Sequence, residues 1–325
     1  MSSLTRLDAR STSLEPDEII AIACVRDEAL RLPSFLQHHR DLGVGRFFVV
    51  DNGSTDGTTG DLLAQPDVHV FATEDSYAGS SCGTAWINEL GARFGVGHWV
   101  LTLDADELFI YPDFERIDLR ALVGYLDGRG SQAMASLLLD MYPAGPIASA
   151  VHVPGGGLLA RCPYFDSDSY FERWPAFQDI PVRGGPRTRL FRYEGGRKGP
   201  LLGKVPLARW RSDLAYDGST HWLPGCARAD VTGVLLHFKF LSDLPGRAEL
   251  EAARGEHWNG ATEYRSYARA LRDDPNLTLH YPGSVRFRGS RQLLDLGLAR
   301  SSAAFEDYVD RIAGSAGGES RHNSV

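Results

Sequence analysis

Residues 99–109 read Trp-Val-Leu-Thr-Leu-Asp-Ala-Asp-Glu-Leu-Phe, an apolar run that ends in three carboxylates within four positions. Such a run reads as a buried strand. Crowding Asp104, Asp106 and Glu107 where that strand emerges is costly unless a cation or hydrogen bonds compensate. A divalent metal is the simplest compensation, and a diphosphate is what such a metal commonly carries. Taken alone, the stretch reads equally as an acid-rich surface turn.

The preceding chain repeats the strand signal at intervals that fit one architecture. Ile19–Val25 is a continuous small-apolar and β-branched run, suited to a parallel strand covered on both faces. Leu32, Phe35, Leu36 and Leu42 mark an amphipathic helix stopped near Gly43. Arg46–Asp51 is the second strand and Asn52–Gly57 is dense turn chemistry. A short helix through Leu62 and Leu63, a strand over Val68–Phe71 and a helix over Ser80–Phe94 lead to the fourth strand, 99–104. Leu119–Leu126 reads as helix and Ala133–Met141 as strand. Alternation of this kind implies crossovers and a mainly parallel sheet flanked by helices, an α/β fold. Ligands of such sheets bind beyond the carboxyl ends of the strands. Arg26-Asp27-Glu28, Asp51 and Asp104-Ala105-Asp106 all fall there.

Composition narrows the partners. The chain has 325 residues and a formal net charge of -8, which gives no support for a nucleic-acid partner. Cys24, Cys82, Cys162 and Cys226 form no C-x-x-C pair and show no zinc spacing with histidine, so they read as reduced thiols. Residues 1–17 are polar, lack the apolar core of a signal peptide and read as a disordered lead-in. No run approaches the roughly 20 apolar residues that span a bilayer. A cytoplasmic protein is expected, with peripheral contact at the inner membrane face left open.

After Tyr142 the texture changes to Pro, Gly, aromatic and arginine residues. Short strands are expected at Arg189–Arg192 and Val231–Phe240. Gly155-Gly156-Gly157 lacks a Walker lysine and a following helix, and reads as a loop. Arg247–His257 and Ala261–Leu271 read as two surface helices, and the Ser/Gly-rich tail as disordered. The expected organisation is a lead-in 1–17, a nucleotide-sugar-binding half 18–145, an acceptor-side half 146–245, a helical extension 246–313 and a tail 314–325.

Three motifs together resemble the family 2 glycosyltransferases, enzymes of the GT-A fold. Cys24-Val25-Arg26-Asp27-Glu28 is a near match to their strand-then-N-E start, with Asp27 where asparagine is usual. Val50-Asp51-Asn52-Gly53-Ser54-Thr55-Asp56-Gly57-Thr58 is similar to their D-[ND]-x-S-x-D-G-T signature. Leu103-Asp104-Ala105-Asp106-Glu107 looks like their D-x-D metal motif. With Leu236-His237-Phe238-Lys239-Phe240, the set is similar to bacterial family 2 proteins near the GT92-like branch. The resemblance covers about 17–245, firmly to about 145. It implies a Rossmann-like GT-A sheet with a mixed acceptor-side half and C-terminal helices.

The resemblance also implies roles. Cys24, Arg26, Glu28, Asp51 and Asp104 would form the nucleotide pocket, Asp51 accepting from an imide N–H of the base. A turn cap is the plain alternative for Asp51, and an exposed ion pair for Arg26 and Glu28. Asp56 reads as a helix cap. Asp104, Asp106 and His237 would hold Mn²⁺ or Mg²⁺, with His221 second to His237 and Glu107 divided between support and capping. Lys204 and Lys239 would touch phosphate or serve as surface charges, and Tyr164, Trp174 and Trp222 would stack on sugars or fill core. The base that takes the acceptor's proton is harder to place. The E-D pair that often supplies it in the family is absent, and Gln178-Asp179 is the nearest stand-in, with Asp166, Asp168 and Asp140 as competitors.

The expected activity is metal-dependent transfer of a sugar from a nucleotide diphosphate donor, a UDP-sugar, to a saccharide or lipid-linked hydroxyl, with inversion, in cell-surface polysaccharide assembly. Two rivals stand beside it: an inactive nucleotide-sugar-binding protein on the same fold, and a D-x-D phosphatase. The phosphatase motif belongs on a first strand with Thr or Val two places after its second Asp, whereas Asp106 lies on about the fourth strand and precedes Glu107-Leu108.

Overall fold

The apolar runs become the strands of one sheet. The computed structural model describes residues 4–193, 196 and 198–315. Its strands are β1 Thr5–Arg6, β2 Ile20–Val25, β3 Arg46–Asp51, β4 Val68–Ala72, β5 Trp99–Leu103, β6 Glu107–Ile110 and β7 Ala133–Asp140. Three short strands follow, β8 Tyr164–Asp166, β9 Glu172–Arg173 and β10 Pro181–Arg183, then β11 Gly203–Arg209, β12 Gly233–His237 and β13 Ser284–Arg286. Nine of these form the main sheet, in the order β1-β4-β3-β2-β5-β11-β7-β12-β6. β4, β3, β2 and β5 are mutually parallel. β11 runs antiparallel between β5 and β7, and β12 is parallel to β7. Only β1, β6 and β11 oppose the common direction. The expected α/β fold, a mainly parallel Rossmann-like sheet flanked by helices with a mixed second half, is what the chain adopts. β11 and β12, from beyond residue 145, lie between β5 and β6, so both expected halves share this sheet.

The helices are α1 Leu32–Leu42, α2 Thr58–Leu63, α3 Thr84–Leu90, α4 Leu119–Gly128 and α5 Leu158–Arg161. They continue as α6 Gly185–Leu190, α7 Leu244–Arg254, α8 Trp258–Asp273, α9 Ser290–Asp295 and α10 Ala303–Ser315. A large apolar core packs around the sheet. A second cluster forms under α7 and α8, where Leu244, Ala248, Tyr267 and Leu271 meet Tyr142, Phe191 and Phe240. Among the described residues no helix is long and apolar enough to cross a membrane.

The sheet cannot be flat. β5 and β6 are four places apart, about 19 Å in a flat sheet. Residues 104–106 are the whole connection between them, and fully extended they bridge about 14 Å. The sheet therefore curls, bringing its β6 edge back toward β5.

Four expectations are corrected. The lead-in is not loose: β1 pairs with β4, and Asp8 accepts from Arg6 at 2.8 Å, from Val70 N at 3.0 Å and from Arg10 N at 3.0 Å. Its polar residues satisfy an exposed strand edge rather than water. The helix expected from Ser80 begins at Thr84, because Ser81, Cys82 and Gly83 are left-handed, and it ends in a π-helical turn over Gly91–Gly95. No strand forms at Arg189–Arg192: Arg189 and Leu190 end α6, which starts at Gly185-Pro186 with proline preset for a first helical turn, and Phe191 and Arg192 follow it outside any regular element. The pair α7–α8 is not a surface extension but a wall of the central cavity. Of the tail expected at 314–325, residues 314 and 315 close α10, and 316–325 lie outside those described.

Candidate functional site

Strand direction assembles the site. β2, β5, β7 and β12 end at one edge, and β6 and β11, running the other way, begin there. That edge gathers Arg26, Asp104, Glu107, Asp140, Lys204 and His237. In the sheet register His237 lies beside both Asp140 and Glu107.

The acids are met by cations at hydrogen-bond distance. Lys204 Nζ donates to Asp104 Oδ2 at 2.7 Å and to Glu107 Oε1 at 2.6 Å. Asp104 N donates to Glu107 Oε2 at 3.1 Å. His237 Nδ1 donates to Asp140 Oδ1 at 2.6 Å, and its Nε2 lies 3.2 Å from Asp106 Oδ2. Lys239 Nζ is 3.8 Å from the same oxygen. Behind them Arg187 Nε donates to Asp140 Oδ2 at 2.8 Å.

Burial sets the titration of these groups. It acts to lower His237, but the carboxylates Asp106 and Asp140 overcome it, so the imidazole is held above its usual value. Burial acts to raise Asp106, and His237 and Lys239 pull it well below the carboxylate range. Glu107 goes the other way. Burial pushes it up, Lys204 pulls against that, and Asp104 and Asp106 add to the push, leaving it at about 7. Lys204 remains firmly charged, since Asp104 and Glu107 outweigh its desolvation.

The donor set fits a divalent cation. Asp104, Asp106 and Glu107 each offer an oxygen within 4.8 Å of the others. Two electron-pair donors, Asp106 Oδ2 and His237 Nε2, face each other at 3.2 Å, which calls for a proton or a metal between them. Asp140 fixes the far nitrogen of that imidazole, as carboxylates do behind metal-bound histidines.

This edge floors a cavity of about 800 Å³, within the range of small-molecule sites. Cys24, Arg26 and Asn52 line the side toward β2 and β3. Arg247, Arg254, His257 and Tyr264 come from α7, α8 and the link between them. Trp174 and Trp222 stack on the third side, 5.8 Å apart and 19° from parallel.

Most expected site residues meet here. Cys24, Arg26, Glu28, Asp104, Asp106 and His237 all line the cavity, as do His221, Lys204, Lys239, Trp174 and Trp222. Glu28 is buried and ion-paired with Arg247 and, at 3.6 Å, with Arg31, so its exposed-pair alternative is corrected. Asp51 does not line the cavity. It is 2% exposed, accepting from Ser54 N at 2.9 Å and from the Thr59 hydroxyl, the turn-cap arrangement. Asn52 holds the cavity side of that turn instead. Asp56 accepts from Thr58 N and Ala29 N, both at 3.0 Å, capping as expected.

None of the four candidate bases is brought into the cavity; Asp168 is exposed and accepts from the Tyr281 hydroxyl outside the lining. Asp140 is buried behind its wall, with its oxygens taken by His237 and Arg187. Asp166 is fully buried and accepts from Tyr142 at 2.6 Å, Ser169 at 2.6 Å and Arg189 at 3.0 Å. Asp179 sits exposed at a left-handed position outside the lining. Tyr164 is likewise outside it. Arg187, Arg247, Arg254 and Glu263 were not anticipated. For α7 a signal existed: Arg247, Glu251 and Arg254 fall four and three residues apart, on one helical face.

No family model and no curated protein matches the chain. Among solved structures, a 4-diphosphocytidyl-2C-methyl-D-erythritol synthase aligns at 14% identity over 88% of this chain and 99% of that one, with a TM-score of 0.26. A UDP-glucose pyrophosphorylase from Acinetobacter baumanii aligns at 9% identity over 80% of this chain and 83% of that one, also with a TM-score of 0.26. Superpositions this loose bear on neither activity nor ligand.

Proposed function

We propose that the chain is a metal-dependent glycosyltransferase. It moves a sugar from a nucleotide diphosphate donor, a UDP-sugar, to a hydroxyl of a saccharide or lipid-linked acceptor. The observation that carries this reading is one juxtaposition. An acid cluster able to hold a cation, with Lys204 and Lys239 against it, shares with Arg247 and Arg254 one cavity large enough for a nucleotide sugar. A site rich in both signs suits a ligand that is itself a polyanion carried with a divalent cation.

Asp104, Asp106 and His237 would hold Mn²⁺ or Mg²⁺. When bound, the ion neutralises charge on the diphosphate as the nucleotide leaves. The rest falls to the chain. Arg247 and Lys239 lie where they can share the diphosphate charge, both within the electrostatic reach of Asp106. Arg26 and Asn52 offer polar groups to the nucleoside, and Trp174 with Trp222 a flat apolar face to a sugar.

The test is a thermal-shift panel of UDP, GDP, CDP and their sugars with MnCl₂. A ligand of the folded state raises its apparent stability. UDP should raise the midpoint only with Mn²⁺. Asp106→Ala should abolish that shift and lower turnover at least about 100-fold. A panel with no nucleotide response sinks the reading. The inactive-binder alternative is favoured by the absence of all four expected bases from the cavity. Mn²⁺-dependent turnover of a donor excludes it.

A further inference from the structure

Among the described residues, six carboxylates line the cavity: Glu28, Asp104, Asp106, Glu107, Glu251 and Glu263. Glu28, Glu107 and Glu251 are closed off. Glu28 meets Arg247 through one oxygen, and its other is buried near Arg31. Glu107 spends both oxygens on Lys204 and Asp104 N. Glu251 spends both on Arg254, at 2.8 and 2.7 Å. Their side chains are 6%, 1% and 7% exposed. Asp104 and Asp106 belong to the candidate metal cluster.

Glu263 differs from all of these. Its Oε1 accepts from Arg187 Nη1 at 3.1 Å and from the Tyr267 hydroxyl, while Oε2 has no hydrogen-bond partner among the described residues. The side chain is 30% exposed toward the cavity. Arg187 and Tyr267 fix its direction from behind. Lys239 relates it to the metal cluster, lying 3.8 Å from Asp106 and acting on the Glu263 charge. Burial alone would raise the Glu263 carboxyl, but Arg187 and Lys239 bring it below its usual value, so it is ionised at neutral pH.

The backbone leading to Glu263 is strained. Asn259, Gly260 and Ala261 are left-handed in succession, with φ of 54°, 63° and 60°. Non-glycine residues held there cost of order 1–3 kcal/mol each and persist where surrounding structure demands it. Here they turn the first regular residues of α8, Thr262, Glu263 and Tyr264, onto the cavity.

We infer that Glu263 is the base that activates the acceptor, a role that rests on the glycosyl-transfer reading. Its Oε2 takes the proton of the acceptor hydroxyl. The acceptor oxygen then bonds the anomeric carbon of the donor sugar from the face opposite the diphosphate. The carbon–oxygen bond to the β-phosphate breaks, and its electron pair leaves with the nucleoside diphosphate. The product has inverted configuration.

The experiment compares wild type with Glu263→Gln, which keeps the length and the acceptor oxygen used by Arg187. Turnover is read as UDP released from UDP-glucose, UDP-galactose and UDP-N-acetylglucosamine with MnCl₂. Water and the p-nitrophenyl glycosides of the same sugars serve as acceptors. Glu263→Gln should lower kcat about 10²–10⁴-fold, with the UDP Kd by calorimetry and the melting midpoint unchanged. Sodium formate should restore part of the turnover of Glu263→Ala, since a free carboxylate can occupy the vacated space. Should the amide variant lose its native melting transition, Glu263→Asp is read the same way, because it keeps the charge and withdraws the oxygen. Variant turnover within threefold of wild type overturns the role, and so does a loss explained wholly by weaker UDP binding. Wild type inert toward every donor while still binding UDP with Mn²⁺ overturns the transfer reading itself, and Glu263 as base falls with it.

Discussion

Lys204 brings an ammonium group into a buried position, 8% exposed, between Asp104 and Glu107. Removing one partner from such a group leaves charge that neither water nor protein compensates. Lys204→Met should destabilise the protein by about 3 kcal/mol in chelator, read as a lower urea midpoint. MnCl₂ should recover more stability in the variant than in wild type, because the ion replaces the missing cation. An equal Mn²⁺ effect in both proteins would show that the acids are not sharing a cation site. How far such residues can be read from sequence depends on what places them. The acids of the D-x-D stretch and His237 are legible because each sits at the end of an apolar run. Lys204 opens a strand of the opposite direction, and nothing near it in sequence says which way that strand runs. Asp51 shows the reverse error. The turn legible in its sequence forms, but the turn itself consumes the carboxylate.

Helices α7 and α8 were legible as elements and illegible as a surface. Their charge pattern looks solvated, yet Arg247 and Glu28 close an ion pair that needs α7 and the turn before α1 together. Arg31, 1% exposed, ties the same two regions, reaching Phe238 O at 3.0 Å and Asp243 at 2.8 Å. The end of α6 suggests a strand in sequence because the apolar pair Leu190-Phe191 lies between Arg189 and Arg192. The helix forms where Arg187 and Arg189 turn to different buried carboxylates, Asp140 and Asp166. The link between α7 and α8 closes the cavity on one side. Glu256 accepts from Ser76 Oγ at 2.6 Å and from Ala78 N at 3.0 Å, and His257 packs 5.2 Å from Tyr77. Glu256→Ala should release this clasp. Losing a charge-assisted hydrogen bond of about 1.4 kcal/mol from the closed form corresponds to about tenfold in the UDP Kd. The melting midpoint should move by no more than about 2 °C. Unchanged UDP affinity would assign the clasp to stability alone.

At the scale of the molecule, the curled sheet leaves β6 as an outer strand that needs sealing. Two buried histidines of α1 do this. His38 Nε2 donates to Phe109 O at 2.7 Å, and His39 Nε2 accepts from Phe109 N at 3.2 Å. His39 can accept there only while neutral, its Nδ1–H donating to Phe35 O at 2.8 Å. Burial lowers both imidazoles, His38 to about 4. Between 6.5 and that value the unfolded chain binds a proton that the folded chain refuses. Stability from His38 therefore falls as pH falls, by about 1.4 kcal/mol per unit. Glu107, raised by folding, contributes in the opposite sense, so the comparison is with a variant. In His38→Gln, whose amide can still meet Phe109 O, the loss of stability from pH 7 to pH 5 should shrink by about 2 kcal/mol. An identical pH dependence in both proteins would show that the seal does not titrate. The alternation of strands and helices is legible in sequence, but this closure is not. It follows from which strand sits at the far edge, and that is decided by pairings between residues more than 100 positions apart, such as Leu236 with Leu108.

The connection through Asp104, Ala105 and Asp106 is a single tight turn, closed by Glu107 N donating to Asp104 O at 3.1 Å. Surface loops elsewhere in a protein tolerate insertion cheaply, but an added residue here would open the turn that joins the two ends of the sheet. The three side chains able to hold a cation thus also mark the clasp of the sheet, and the turn keeps them gathered. The spacing of these acids is a mechanical property of the fold before it is a chemical one.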